Sequence, residues 1–224
     1  MNRKKLKVLI LYAGIGGNRK ELGENYNITA VELDKNIAAV YADFYPNDTV
    51  IIGDAMEYLL ENFKKFDIIW LSPECPTHSD IRRVGVHGGL HKPVYPNMDL
   101  YQIIIFLTHF YQGKWIVENV KPYYEYLIKP TAILGRHPFW TNFDIPVVDF
   151  NDDRNHNKIY GGSVVYGVNL KDYKNIGDKR KMLRNMVDPR IGKYLIELAT
   201  NAIRGETKKI SKPYTPNLFE QKVG

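Results

Sequence analysis

Only one cysteine, Cys75, occurs among the 224 residues. Its isolation excludes a framework of internal disulfides and makes a reduced, intracellular, cytoplasmic protein the default expectation. Long apolar runs are missing as well: nothing approaches the stretch of about 20 residues that crosses a bilayer, so no membrane role is expected. The basic start Met1-Asn2-Arg3-Lys4-Lys5 leads into an apolar stretch too short for a signal peptide. No internal repeat is visible. Acidic residues are the scarcer charge, 25 against 31 Lys plus Arg, which leaves a net +6. That excess suits a polyanionic partner but does not identify one. What is present is ordinary for a folded chain, with 44% hydrophobic and 25% charged residues. The length suffices for one well-buried α/β domain or two small ones.

Short apolar runs alternate with amphipathic stretches through the first half, the pattern of βαβ units and a parallel sheet. Strands are expected over residues 6–11, 28–32, 49–52, 66–71 and 114–117. Ile37, Val40, Tyr41, Phe44 and Tyr45 fall at helical spacing after the second strand, and residues 99–111 also read as a helix. A further helix near 191–203 carries Ile191, Tyr194, Leu195, Leu198 and Ala202 on one face. The expected architecture is a doubly wound, mostly parallel α/β sheet with a small appendage. Residues 1–145 and 178–204 form the core, and 146–177 are a polar, turn-rich appendage without a core of its own. Residues 205–224 are expected to be a flexible tail.

Tyr12-Ala13-Gly14-Ile15-Gly16-Gly17 follows the first strand, where a glycine turn leading into a helix lets backbone approach a ligand. The dinucleotide fingerprint fails, because its third glycine falls on Arg19. Glu32 ends the second strand, placed to accept from a ribose diol, and Asp54 follows the third, where an adenine amino group can be reached. Three elements at the ends of three successive strands fit a nucleoside cofactor without a pyrophosphate. S-adenosylmethionine is the obvious candidate. The plainer alternative makes the glycines turn residues and Asp54 a helix cap.

Cys75 lies in Ser72-Pro73-Glu74-Cys75-Pro76-Thr77-His78, just past the fourth strand, at the sheet edge where ligands bind in such folds. A nucleophilic thiolate needs exposure and positive surroundings, which Arg82 and Arg83 are expected to supply. A buried structural thiol and a Cys75-His78-His87-His91 metal set compete with this reading, and no metal is expected. Glu118 ends the fifth strand at the same edge, so it can face Cys75, although a surface salt bridge is the plainer account. Gly135-Arg136-His137-Pro138-Phe139-Trp140 mixes cationic and aromatic groups, which suits base and phosphate contact as well as a partly buried aromatic cluster. Residues 76–96 read as a mobile, glycine-bearing loop with a functional role.

Taken in order, these motifs resemble the DNA cytosine-5 methyltransferase family over residues 6 to 203. Residues Tyr12 to Gly17 resemble its F-x-G-x-G motif, with Tyr12 in place of phenylalanine. Glu32 matches the ribose-binding acid and Asp54 the adenine-contacting acid. Ser72-Pro73-Glu74-Cys75 resembles the Pro-Pro-Cys motif and puts Cys75 on the nucleophile, and Glu118-Asn119-Val120 matches E-N-V letter for letter. Arg136 and His137 lie where the family has two arginines, and Leu183-Arg184-Asn185-Met186-Val187 resembles the last motif, G-N-A-V. Departures are Glu74 for proline, Pro76 for glutamine, and Arg184 and Met186 for glycine and alanine.

The resemblance implies a Rossmann-like fold of the S-adenosylmethionine-dependent type. It implies catalysis by Cys75, Glu118 and Arg136, and cofactor contacts from Tyr12, Gly14, Gly16, Glu32, Leu33, Asp54, Ala55, Pro73 and Asn185. Substrate contacts would come from Ser72, Asn119, His137, Arg82 and Arg83. The activity implied is methyl transfer to carbon 5 of cytosine in double-stranded DNA, through a covalent Cys75 adduct on a flipped-out base. A monomer is the default. An RNA cytosine methyltransferase and an inactive DNA-binding relative remain the alternatives. Target recognition is assigned to the appendage, with Arg154, His156, Lys158, Tyr160, Tyr166, Lys171 and Lys174, and its small size predicts short or relaxed specificity.

Overall fold

The computed structural model describes residues 4–146, 148–150, 164–174 and 176–206. Its chain runs β1 (Leu6–Leu11), β2 (Tyr26–Glu32), α1 (Lys35–Phe44), β3 (Thr49–Ile52), α2 (Ala55–Asn62), β4 (Ile68–Leu71), α3 (Asp80–His87) and α4 (Asp99–Phe110). There follow β5 (Lys114–Glu118), β6 (Ala132–Leu134), β7 (His137–Thr141), β8 (Val164–Val165), β9 (Val168–Asn169), α5 (Lys179–Arg184) and α6 (Pro189–Arg204). Seven strands form one sheet in the order β3-β2-β1-β4-β5-β7-β6. β1 to β5 are parallel, and β7 pairs antiparallel with β5 and β6. The fold is the expected doubly wound, Rossmann-like α/β sheet.

Central strands read as unbroken apolar runs because helices cover both of their faces. Successive residues alternate between two cores. Val8, Ile10, Trp70, Ile116 and Phe139 meet Tyr194 and Leu195 of α6, while Leu9, Leu11, Ile69, Leu71 and Val117 meet Leu59 of α2 and Ile103 and Leu107 of α4. Asp34, Asp54, Asp178 and Asp188 each cap a helix by accepting from backbone N–H groups of its first turn. Gly205, at φ 63°, ends α6 in the left-handed conformation that glycine tolerates.

Strand order reverses between β1 and β4, so the loops leaving their carboxyl ends diverge around a crevice, the usual ligand position in open α/β sheets. Those two loops are the glycine loop and the segment holding Cys75. The sheet order alone therefore puts the two main motifs side by side.

Two sequence expectations need correction. No helix follows the glycine loop: residues 14–22 form consecutive turns, in which Gly16 C=O accepts from Arg19 N–H and Arg19 C=O from Leu22 N–H. Positive φ at Gly14 (55°) and Gly16 (77°) is incompatible with a helix start there. Residues 76–96 are not loop throughout, since α3 occupies Asp80–His87. Residues 137–141 contribute β7, whose Phe139 and Trp140 are buried in the sheet, so of the two readings offered for this stretch the buried aromatic cluster is the one found, with Arg136 exposed beside it.

The described parts of the 146–177 appendage lean on the main fold. Phe150 stacks near Tyr194, and Val168, Leu170 and Ile176 pack with Ile15, Val40, Leu183 and Met186. Arg154, His156, Lys158 and Tyr160 lie outside the described residues, as does the tail from 207 onward.

Candidate active site

The glycine loop sits low against its neighbours. A Cβ on Gly17 would come within 2.6 Å of the Val187 carbonyl, so the segment after α5 packs directly beneath the loop. This is the contact through which residues 183–187 return to the first motif. Gly14 behaves differently: a Cβ there would meet nothing within 4 Å, so its backbone faces open space. Its N–H donates to Glu32 Oε2 at 2.9 Å, and Glu32 Oε1 accepts from Asp34 N–H at 3.0 Å. Each carboxylate oxygen keeps a second lone pair for a ligand hydroxyl.

Asp54 Oδ1 accepts from Met56 and Glu57 N–H at 2.8 and 2.9 Å. The capping account of Asp54 is therefore correct as far as it goes, and a second carboxylate oxygen remains beside it. Tyr12 lies half-buried at φ 56°, and burial, then the carboxylates of Asp99, Asp54 and Glu74, push its phenol well above its usual value. The charges of Asp99, Asp54 and Glu74 therefore all act on one phenol. Leu33 is exposed and Ala55 buried. Asn185 caps the end of α5 and is exposed, its N–H donating to Lys181 C=O.

The second half of the site gathers at the ends of β4 and β5, which pair Leu71 with Val117. Glu118, the next residue, is 7% exposed. Burial pushes its carboxyl up to about 7 from the ordinary 4.5, while a hydrogen bond from Ser72 and the Arg136 charge pull it back. Ser72 is itself held by Trp70, whose Nε1–H donates to Ser72 Oγ at 3.0 Å. His137 Nδ1 lies 3.8 Å from Glu118 Oε1, too long for a hydrogen bond and close enough for a charge pair if the ring is protonated. Cys75 interacts electrostatically with both Glu118 and Arg136. Burial first, then Glu118 and Glu74, push the thiol up to about 11 from 9.0, while its backbone and Arg136 oppose them.

That result corrects the expected source of positive charge. The cation acting on Cys75 is Arg136. Arg83 instead pairs with Asp80 at 2.7 Å on exposed α3, and Arg82 reaches the Lys92 carbonyl at 3.5 Å. Arg136, an exposed side chain, also donates to the Arg184 carbonyl at 3.1 Å, which ties the turn between β6 and β7 to the last motif.

Asn119 is 1% exposed. Its Nδ2 donates to the Pro73 carbonyl at 3.1 Å, and its Oδ1 accepts from Val120 N–H at 2.8 Å. It clamps the Cys75 loop to the end of β5. A second clamp was not seen in the sequence. Buried His78 meets the Tyr124 hydroxyl at 2.5 Å, its N–H donates to the Cys75 carbonyl at 3.0 Å, and its carbonyl accepts from Tyr123 N–H at 3.1 Å. Among the described residues no group of His, Cys, Asp and Glu is arranged to hold a metal ion. No helix among them is long and apolar enough to cross a membrane.

No known family model matches the chain, and no curated protein matches it in sequence. Among solved structures, a mutant of DNMT2 from Spodoptera frugiperda is 24% identical, covers 52% of this chain and 36% of its own, with a TM-score of 0.36. A SAM-dependent methyltransferase from Agrobacterium tumefaciens is 16% identical, with 54% and 40% covered and a TM-score of 0.36. A fibrillarin/Nop5p complex gives 14% identity, 53% and 51% coverage, and a TM-score of 0.32. The chain thus spans about half, or less, of the length of each.

Proposed function

We propose that this protein transfers a methyl group from S-adenosylmethionine to carbon 5 of cytosine in DNA. The observation that carries the proposal is the proximity of Cys75, Glu118 and Arg136 past the carboxyl ends of the paired strands β4 and β5, with Glu118 buried and its carboxyl pushed up to about 7.

The cofactor fits the first half of the site. Gly14 leaves room for close approach, Glu32 and Asp54 offer carboxylate oxygens for ribose and adenine, and the acidic surroundings of Tyr12 suit a ligand bearing a sulfonium and an ammonium. Bound there, S-adenosylmethionine supplies the electrophilic methyl group that carbon 5 accepts.

The chain's own residues prepare that carbon. Cytosine is a poor carbon nucleophile until its conjugation is broken. Cys75 Sγ adds to carbon 6 as the thiolate, and carbon 5 gains enamine character. Protonated Glu118 donates to ring nitrogen 3 and neutralises the charge that this addition develops. The two groups help one another. A protonated Glu118 no longer repels a thiolate, so the main electrostatic obstacle to Cys75 ionisation disappears in the state that catalysis needs. Arg136 then remains as the favourable charge. Water takes the proton from carbon 5, the bond between Sγ and carbon 6 breaks to return the Cys75 thiolate, and ring nitrogen 3 gives its proton back to Glu118 as the product is released. A stacked base cannot reach Cys75, so the target is flipped out at a cost of a few kcal/mol. Asn119 and His78 hold the Cys75 loop in place.

The test is transfer of labelled methyl from S-adenosylmethionine to duplex DNA, to RNA of the same sequence, and to neither. Label in DNA, recovered as 5-methyldeoxycytidine, is the expected result. Label in RNA alone overturns the substrate, and label in neither overturns the activity.

A further inference from the structure

Tyr166 occupies a backbone conformation that its side chain disfavours, and the place it reaches accounts for why. β8 and β9 are joined by two residues, with Val165 paired to Val168. Such a turn needs positive φ at both central positions, and Asn-Gly is its usual sequence. Gly167, at φ 73°, meets that need, and a Cβ there would contact nothing within 4 Å. Tyr166, at φ 49°, is a bulky residue where glycine, asparagine or aspartate is the unstrained choice. Strained residues of this kind persist where the surroundings fix them, and they cluster at ligand sites.

The half-buried Tyr166 packs against the cluster of Val168, Leu170 and Met186. It also lines a small cleft with Arg136, His137, Phe150, Asp188 and Ile191. Arg136 and His137 are the pair that borders Glu118, and Arg136 also acts on Cys75. The hairpin therefore brings an aromatic ring beside the cations next to the reacting groups.

We propose that Tyr166 is a nucleotide-stacking residue. Its ring packs on a base of the bound strand while Arg136 meets a phosphate. The arrangement joins an aromatic platform to a cationic contact, the combination that holds single-stranded or unstacked nucleotides. The proposal rests on the nucleic-acid substrate argued above and adds the residue that grips it.

Anisotropy of a fluorescent single-stranded oligodeoxycytidine, without cofactor, tests it on the full chain. Tyr166→Leu keeps an apolar side chain in the same turn and removes the ring face. It should weaken binding by about 5- to 150-fold, with the melting temperature unchanged. Tyr166→Phe keeps the face and should bind as the wild type does. Leucine binding as tightly as tyrosine, or phenylalanine losing as much as leucine, overturns stacking. If Tyr166→Leu melts early, ultraviolet cross-linking of the wild type decides: a cross-linked peptide containing Tyr166 supports the contact, and its absence overturns it. Methyl transfer is scored separately. Binding through Tyr166 without transfer defeats the methyltransferase reading alone, whereas transfer with unaltered affinity and KM in Tyr166→Leu defeats stacking alone.

Discussion

Replacing Glu118 by glutamine removes one ionisable group from the floor of the pocket while keeping its shape and its ability to accept from Ser72. In the folded chain this carboxyl titrates near 7, against 4.5 ordinarily, chiefly because burial penalises its charge. The sign of the pH effect follows from proton counts. Between pH 4.5 and 7 the folded chain holds a proton that the unfolded chain has lost, so stability falls as pH rises. At about 1.4 kcal/mol for each pH unit, the interval amounts to about 3 kcal/mol lost by pH 8. Glutamine carries no such penalty. Glu118→Gln should therefore be about 3 kcal/mol more stable than the wild type at pH 8, a rise of roughly 6–12 °C in melting temperature for a domain of this size. At pH 4.5 the two should differ by well under about 1 kcal/mol. Urea titrations at both pH values measure this. Turnover should move the opposite way, by roughly 10²–10⁴-fold, since glutamine cannot give a proton to ring nitrogen 3. A stability difference that is the same at both pH values, or a less stable glutamine variant at pH 8, refutes the reasoning.

Wild-type kcat/KM should rise about tenfold per pH unit up to pH ~7 and flatten above it, because thiolate and protonated Glu118 are needed together. Initial rates still climbing beyond that point would detach the Glu118 proton from the chemistry. Asn119→Ala strips the clamp from the Pro73 carbonyl and should cost about 1–3 kcal/mol in denaturant titrations, lowering turnover while calorimetric cofactor affinity stays put. Asp54→Asn retains a good helix cap, so stability should hold while S-adenosylmethionine binding weakens; Glu32→Ala should weaken it too, each by roughly 0.5–3 kcal/mol.

Strands β1 to β5 were legible because each is a short apolar run closed by a turn, and α1, α4 and α6 because their apolar residues recur at helical spacing. The meeting of Cys75 with Glu118 followed from the same reading, since residues ending neighbouring parallel strands share an edge. β7 was hidden by its own proline. Pro138 has no N–H for a ladder and argues against a strand, yet here its carbonyl accepts from Asn119 N–H at 3.3 Å. α3 was obscured by Gly85, Gly88 and Gly89, which read as loop punctuation. Charges were the least legible part. Arg82 and Arg83 are near Cys75 in sequence, but α3 carries Arg83 to Asp80, whereas Arg136 arrives from a distant turn. Tyr166 left one usable trace, an X-Gly pair between two valine-containing runs, which is a hairpin signal. Its unsuitable first residue was the hint of function.

The covalent role of Cys75 is the central claim, and trapping tests it most directly. DNA containing 5-fluorocytosine at methylated sites should, with S-adenosylmethionine, form a stable adduct, because fluorine cannot leave carbon 5 as a proton does. Intact-mass measurement should show protein joined to oligonucleotide for the wild type, with the linkage at Cys75, and none for Cys75→Ser. Measurable methylation of ordinary DNA with no trapped adduct, or an adduct that survives in Cys75→Ser, would contradict the account.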